Sequence, residues 1–229
     1  MKKLLLMAIA MMMSVNMNAQ LDEGNWYFTP KIGLSIADLT GKLYAPEKAE
    51  GSYDPTLHPM TGFTGGVELE YAMLDNLGLS VGLNYCRQGS KTDDELFKVT
   101  MDYANIPITL DFYPIPECGL AVKAGVQVGF AGRKKVKIDG VTYNADYVMA
   151  QRFNHWGRPM IVYVESELSK EFNKVDFSIP LAISYDYKGI FAEARYNLGL
   201  TNIMKDDPEN SKHRVWQFTI GYKFDLGEL

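Results

Sequence analysis

The sequence RVWQFTIGYKF, residues 214–224, alternates strictly between two kinds of side chain. One set of positions carries Trp216, Phe218, Ile220, Tyr222 and Phe224, and the other carries Val215, Gln217, Thr219, Gly221 and Lys223. A period of two is typical of a β-strand, because successive side chains point to opposite faces. A face this aromatic packs either on a protein core or against lipid, and the rest of the chain distinguishes the two cases.

Eight segments, this one included, show the same alternation. They run from Trp26 to Ala37, Gly62 to Met73, Leu77 to Gln88, Asp102 to Tyr113, Gly119 to Ala131, Lys174 to Tyr187, Gly189 to Leu200 and Arg214 to Phe224. In the sixth, apolar residues such as Phe177 and Leu181 alternate with small or acidic ones such as Ser178 and Asp186. Each segment is long enough to cross a bilayer as a tilted strand, which takes about 9 to 11 residues.

The connections between these segments alternate in length. Short turns (MLDN, PIPECG and YKG) join the second segment to the third, the fourth to the fifth and the sixth to the seventh. The long connections are residues 38–61, 89–101, 132–173 and 201–213. This pattern is typical of an outer-membrane barrel with tight periplasmic turns and long outer loops. We therefore expect an all-β fold, an eight-stranded antiparallel up-and-down transmembrane β-barrel, with the aromatic face of residues 214–224 toward lipid.

Aromatic residues on the lipid-facing positions sort to the two ends of the predicted strands. Those near the periplasmic ends are Phe28, Tyr71, Phe112, Tyr185, Tyr187, Tyr222 and Phe224, and those near the outer ends are Phe63, Tyr85, Phe130, Phe177, Tyr196 and Trp216. Two aromatic girdles at the membrane interfaces are typical of such barrels.

Two features leave room for a different strand layout. The connection 132–173 contains VKIDGVTY and MIVYVESEL, which could form two more strands, so ten strands are the alternative. An unbroken fifth strand from Gly119 to Ile138 would exceed a membrane crossing, and this favours a hairpin that projects outside. Pro30, Pro107 and Pro180 lie within strands, where each removes a ladder donor, so we expect bulges or shifted pairing there.

The N-terminus predicts export. Residues 1–19 carry Lys2 and Lys3, an apolar stretch from Leu4 to Val15, and Ala19 before the expected cleavage site, as in a secretory signal peptide. Residues 20–229 would then form the barrel domain. Loss of the two lysines leaves 210 residues and changes the formal net charge from -5 to -7. This acidic balance argues against nucleic-acid binding.

Several stretches resemble the outer-membrane β-barrel domain of the PorT-like porin family. They are KIGLSIADLTG (31–41), LGLSVGLNYCRQGSK (77–91), DYANIPITLDFYP (102–114), GLAVKAGVQVGF (119–130), ARYNLGLTNI (194–203) and RVWQFTIGYKF (214–224). The resemblance implies an eight-stranded barrel in the outer membrane of a Gram-negative cell, and it supplies no catalytic residues.

The sequence offers little catalytic chemistry. His58, His155 and His213 map to the outer loops or rim, and one of them could join Ser211 and Asp206 in a nucleophile constellation like that of an outer-leaflet lipid-modifying enzyme. Loop residues rarely share the fixed geometry that catalysis needs, so we expect three solvated histidines and no enzyme. No cofactor motif or metal-ligand spacing occurs. Cys86 and Cys118 fall at opposite ends of the barrel and are expected to be free thiols.

The inward-facing positions predict the state of the lumen. They carry the cations Lys31, Lys123, Arg195 and Lys223 and the carboxylates Glu68, Glu70, Asp111, Asp176, Asp186 and Glu193. Inward glycines, including Gly66 and Gly129, would make room for these side chains. An interlocked ion-pair network favours a closed stem whose outer loops 38–61 and 132–173 bind an envelope or extracellular partner or support envelope integrity. A narrow solute channel is the alternative. The further expected partners are outer-membrane lipids, including lipopolysaccharide, and the barrel-assembly machinery during insertion.

Overall fold

The computed structural model describes residues 21–40, 57–92, 97–138, 141–144, 147–153, 159–165, 173–202 and 212–227. The predicted signal peptide, residues 1–19, lies outside these ranges. Eight long strands form the barrel: β1 (Trp26–Thr40), β2 (Leu57–Leu74), β3 (Leu77–Thr92), β4 (Phe97–Ile115), β5 (Leu120–Ile138), β9 (Val175–Tyr187), β10 (Ile190–Gly199) and β11 (Lys212–Tyr222). The other elements are a 3-10 turn (Pro116–Cys118), β6 (Val141–Asn144), β7 (Tyr147–Phe153), β8 (Pro159–Glu165) and β12 (Phe224–Gly227). No helix in the described ranges is long and apolar enough to span a membrane.

Antiparallel pairing between strands in chain order closes the barrel. Each long strand pairs with the next one, β5 pairs with β9, and β11 returns to β1 with Lys31 opposite Gly221 and Ser35 opposite Gln217. β12 continues after β11 and pairs with the start of β1. The eight-stranded up-and-down barrel predicted from the sequence is confirmed.

The three short strands between β5 and β9 are not part of the barrel wall. β5 runs unbroken to Ile138, and β6 folds back on its far end with Val141 opposite Ile138. β7 and β8 form a separate two-stranded sheet. This arrangement matches the projecting hairpin, and the ten-stranded alternative is wrong. We call this end of the barrel the loop end, and the end with the three short connections the turn end.

One predicted long connection is mostly strand. β3 continues to Thr92 and β4 begins at Phe97, so only residues 93–96 separate elements that we expected to be joined by residues 89–101. The register supports the extension, since Lys91 lies opposite Lys98. The polar composition of these residues hid the strand, because a strand outside the membrane needs no apolar face.

The outward face of the wall is an apolar belt bounded by aromatic residues. Ile32 and Ile183 are each more than half exposed although they sit well inside β1 and β9. Aromatic pairs lie at both ends, with Trp26 and Tyr71 at 4.9 Å between ring centroids at the turn end and Tyr196 and Trp216 at 4.7 Å at the loop end. Exposed apolar side chains in this pattern are stable only against lipid.

The three strand prolines do not shift the register, so the expected bulges are wrong. Pro107 lies opposite Gln127 on β5, whereas on its other side the ladder between β3 and β4 skips two positions and resumes unchanged. Pro180 pairs with Asn197 on β10 and interrupts the ladder to β5 in the same way. Pro30 on β1 pairs with Val67 on one side, and on its other side it lies opposite the break between β11 and β12. Each proline therefore keeps its ladder pairing with one adjacent strand and interrupts the ladder with the other, because it has no N–H to donate.

Candidate functional site in the charged lumen

Three cations from three strands converge on one carboxylate in the lumen. Glu68 on β2 accepts hydrogen bonds from Lys31 Nζ at 2.6 Å and from Lys123 Nζ at 2.6 Å, and its Oε2 also accepts one from Arg195 Nη2 at 3.0 Å. All four side chains are 3 % exposed or less. A carboxylate this deeply buried needs paired charges, because it has lost its hydration.

Two further carboxylates balance the cluster. Glu193 lies 3.2 Å from Lys31 Nζ and 3.0 Å from Arg195 Nε, and Asp111 lies 2.7 Å from Lys123 Nζ. The hydroxyl groups of Ser80 and Thr109 also donate to Asp111. We call these six residues the lumen cluster: Lys31, Glu68, Asp111, Lys123, Glu193 and Arg195. Three positive and three negative charges make it formally neutral.

A second ion pair lies closer to the turn end. Lys223 Nζ is 2.7 Å from Glu70 Oε2, and the Tyr113 hydroxyl donates to Glu70 Oε1 at 2.7 Å. The Lys223 ammonium also lies 4.6 Å from the ring centroid of Tyr27. Tyr27 and Tyr113 belong to a buried apolar group with Leu21, Ala72 and Ala121. Side chains therefore fill the lumen at its turn end.

The predicted network is confirmed for all four cations and for four of the six carboxylates. Asp176 instead accepts a hydrogen bond from the Thr201 hydroxyl at 2.8 Å, and Asp186 accepts one from the backbone N–H of Gly189 at 3.0 Å. Both lie near strand ends, where they order the adjacent connections. Inward parity alone could not separate these two residues from the cluster.

A layer of amide side chains lies on the loop-end side of the lumen cluster, and the sequence analysis missed it. Its members are Asn84, Asn105, Gln127, Asn197 and Gln217, which are all buried. Each has at least one buried amide atom with no hydrogen-bond partner among the described residues. Buried polar atoms are normally satisfied by protein, water or solute, so this layer has the chemistry of a hydrated chamber. The Asn and Gln residues at inward-facing positions are the sequence signal from which this layer could have been predicted.

Two of the inward glycines make room for this layer, whereas the sequence predicted that they would make room for the charged side chains. A Cβ atom at Gly129 would lie 2.6 Å from Asn105 Oδ1, and one at Gly66 would collide with Asn84 Oδ1. Both glycines lie beside these amides in the register, Gly129 opposite Asn105 and Gly66 opposite Asn84. A larger residue at either position would displace an amide from the layer.

The histidines do not assemble a catalytic site within the described residues. His213 is buried on β11 and its Nε2 lies 3.1 Å from the Tyr103 hydroxyl, so the prediction of a solvated loop histidine is wrong for this residue. His58 lies on β2, and His155, Ser211 and Asp206 lie outside the described residues. Cys86 and Cys118 are free thiols, as predicted. Within the described ranges, no group of His, Cys, Asp and Glu is arranged to hold a metal ion.

A family model described as the outer membrane protein beta-barrel domain matches residues 18–205. The chain belongs to this family. It is an outer-membrane protein, and the resemblance seen in the sequence is confirmed. The matched range of the outer membrane protein beta-barrel domain ends before β11, the strand that closes the wall. A comparison with curated proteins finds no match.

Several solved outer-membrane barrels are similar to this chain in structure. Ail, the attachment invasion locus protein of Yersinia pestis, is 13% identical, with 89% of this chain and 100% of that chain covered and a TM-score of 0.42. Neisserial surface protein A is 10% identical, with 87% and 97% covered and a TM-score of 0.46. OprG from Pseudomonas aeruginosa is 12% identical, with 88% and 97% covered and a TM-score of 0.43.

Proposed function

We propose that the protein is a closed outer-membrane stem. The barrel holds the loop end outside the cell, where connections 38–61 and 132–173 bind an envelope or extracellular partner or support envelope integrity. The observation that carries this proposal is the lumen cluster, whose six charged side chains span the lumen and leave their charges paired with one another. A stem needs a rigid wall and a closed lumen, and the ion pairs of the lumen cluster supply both.

The energetics of the cluster oppose conduction. An eight-stranded barrel has an interior just wide enough for side chains to fill. To open a continuous path, Lys123 or Arg195 would have to leave carboxylates that lie within 3.0 Å, and an unpaired buried charge costs several kcal/mol. The apolar group around Tyr27 and Tyr113 adds a second barrier at the turn end.

A narrow channel for small solutes is the second candidate, and the amide layer favours it. The amides Asn84, Asn105, Gln127, Asn197 and Gln217 offer both donors and acceptors to a neutral solute in the loop-end half of the lumen. The lumen cluster would then be the gate. This candidate needs a conformation in which the cluster separates.

Planar-bilayer recording distinguishes the stem from the channel. We expect the folded wild-type protein to give no stable single-channel openings, because the lumen cluster stays paired. A porin of known conductance in the same bilayer serves as the positive control. Stable, reproducible openings of the wild type would refute the closed stem and support the channel.

We further propose that the protein is not an enzyme. The His213–Tyr103 pair is buried in the lumen, where it joins the non-adjacent strands β4 and β11. Among the described residues, no serine, cysteine or carboxylate forms a hydrogen bond with either side chain. The expected partners are outer-membrane lipids, including lipopolysaccharide, and the barrel-assembly machinery during insertion. Purified protein should release no fatty acid from fluorescent phospholipid or lipid A. Release that is lost in His213→Gln would contradict this proposal.

A further inference from the structure

Exposed charges are distributed unequally along the barrel axis. At the loop end, the exposed charged side chains among the described residues are all cations: Arg87, Arg133, Lys135, Lys174 and Arg214. At the turn end, the exposed carboxylates are Asp22, Glu23, Asp75, Glu117 and Asp225, and Lys188 is the one exposed cation among the described residues at that end. The chain is acidic overall, so its composition concealed this asymmetry.

Three of these cations lie together on the outward face of β3, β4 and β5. Arg87 on β3 lies opposite Asp102 on β4. Lys135 on β5 lies opposite Thr100, which is two residues nearer the loop end of β4 than Asp102. Arg133 lies between them, where the register of β5 shifts by one residue against β4. We call Arg87, Arg133 and Lys135 the basic patch.

One acidic residue organises the patch without neutralising it. Asp102 Oδ1 accepts hydrogen bonds from Arg87 Nε at 2.9 Å and from the Tyr85 hydroxyl at 2.7 Å, and Arg87 Nη2 lies 3.2 Å from the same hydroxyl. These contacts fix the direction of the Arg87 guanidinium. Counted over the described residues, Asp102 balances one of the three positive charges, and the patch keeps a surplus of two.

The basic patch lies just beyond the hydrocarbon boundary. Tyr85 and Phe130 are the last outward-facing aromatic residues of their strands, and Arg87 follows Tyr85 by two residues. At about 3.3 Å of rise per residue, Arg87 lies about 7 Å along the strand from the girdle. Aromatic girdles mark the level of the headgroups, so the patch meets the first polar groups of the lipid.

We infer that the basic patch binds the phosphate groups of an outer-leaflet glycolipid of the lipid A class. Arginine and lysine are the side chains that pair best with phosphate, and a partly oriented guanidinium loses less freedom on binding. The inference rests on the proposed orientation, which places the loop end in the outer leaflet. The acidic turn end would face the periplasm and repel such lipids.

A lipid-binding measurement on the full mature chain tests this inference. The folded protein in detergent is titrated with bisphosphorylated lipid A and with the same lipid after removal of its phosphates, and bound lipid is counted by native mass spectrometry. We expect wild type to prefer the phosphorylated lipid by at least about tenfold. The variant Arg133→Gln/Lys135→Gln should lose this preference and still fold, because both positions are exposed.

The controls separate the patch from other causes. Lys188→Gln removes an exposed cation at the turn end and should keep the preference of the wild type. Equal binding of both lipids by wild type, or an unchanged preference in the folded double variant, would overturn the inference. Displacement of lipid A by millimolar inorganic phosphate would also overturn it, because the site would then be one for free phosphate. The assay uses no oriented membrane, so a reversed orientation in cells would refute the orientation and leave the lipid result standing.

Discussion

Glu68 and Lys123 meet across the lumen, with Lys123 Nζ 2.6 Å from Glu68 Oε1, although β3 and β4 separate their strands in the wall. Side chains from non-adjacent strands could not form such an ion pair if the lumen were an open channel. Glu68 also receives Lys31 from β1 and Arg195 from β10, so one carboxylate joins cations from three directions. The stability of the barrel should therefore depend strongly on a few interior charges.

Truncation of Arg195 tests this dependence. Arg195 is 0% exposed, and Arg195→Ala would leave Glu193 and Glu68 with one cation fewer. We expect the free energy of unfolding to fall by about 3 kcal/mol, since loss of one partner strands a buried charge. Denaturant titration in lipid vesicles, followed by tryptophan fluorescence, measures the change.

The matched surface pair gives the control for Arg195. Arg87 also forms an ion pair, with Asp102 at 2.9 Å, but its side chain is 45% exposed. Arg87→Ala should cost at most about 1 kcal/mol. A loss in Arg195→Ala no larger than that in Arg87→Ala would contradict the idea that the lumen cluster holds the wall together.

A charge on the lipid face should be costly at mid-membrane. Leu181 lies at the centre of β9 and is 47% exposed. Leu181→Arg should lower the free energy of unfolding in lipid vesicles by about 2 to 4 kcal/mol, whereas Leu226→Arg on β12, at the turn end, should cost about 0 to 1 kcal/mol. Equal effects at the two positions would mean that Leu181 does not face the hydrocarbon.

Processing of the N-terminus gives an independent prediction. Cleavage after Ala19 would leave Gln20 as the first residue of the mature protein, and the protein should fractionate with outer membranes. Mass spectrometry of the N-terminal peptide checks the cleavage site. An intact Met1 in the purified membrane protein would refute the signal peptide.

Surface labelling tests the orientation of the barrel. An epitope tag inserted near Asn154, in the connection 132–173, should be labelled on intact cells if the loop end lies outside. The same tag at Asp75, in the short turn between β2 and β3, should be labelled only after the outer membrane is permeabilised. The reverse pattern would place the loop end in the periplasm.

Side-chain parity explains why so much of the wall could be predicted. A strand of period two assigns each residue to lipid or lumen without further information. The inward cations all lie where parity places them: Lys31, Lys123, Arg195 and Lys223. Outside the bilayer this signal weakens. For this reason the sequence pattern predicts a loop where β3 and β4 extend beyond the membrane.

Parity does not give height along the barrel axis. Asp176 and Asp186 face inward like Glu193, but they lie near strand ends, above and below the level of the lumen cluster. The level of each side chain follows from the stagger between neighbouring strands, which only the register reveals. The same limit applies to His213, whose inward-facing ring meets Tyr103 from the opposite side of the lumen.

The interrupted ladders at the three prolines divide the wall into three groups of continuously paired strands, which we call staves. The breaks fall between β1 and β11, between β3 and β4, and between β5 and β9, so the staves are β1–β3, β4–β5 and β9–β11. Each stave contributes one cation and one carboxylate to the lumen: Lys31 and Glu68, Lys123 and Asp111, Arg195 and Glu193. The bonds of Glu68 to Lys123 and Arg195, and of Lys31 to Glu193, run from one stave to another. The buried charges thus join the staves to one another across the ladders that the prolines interrupt.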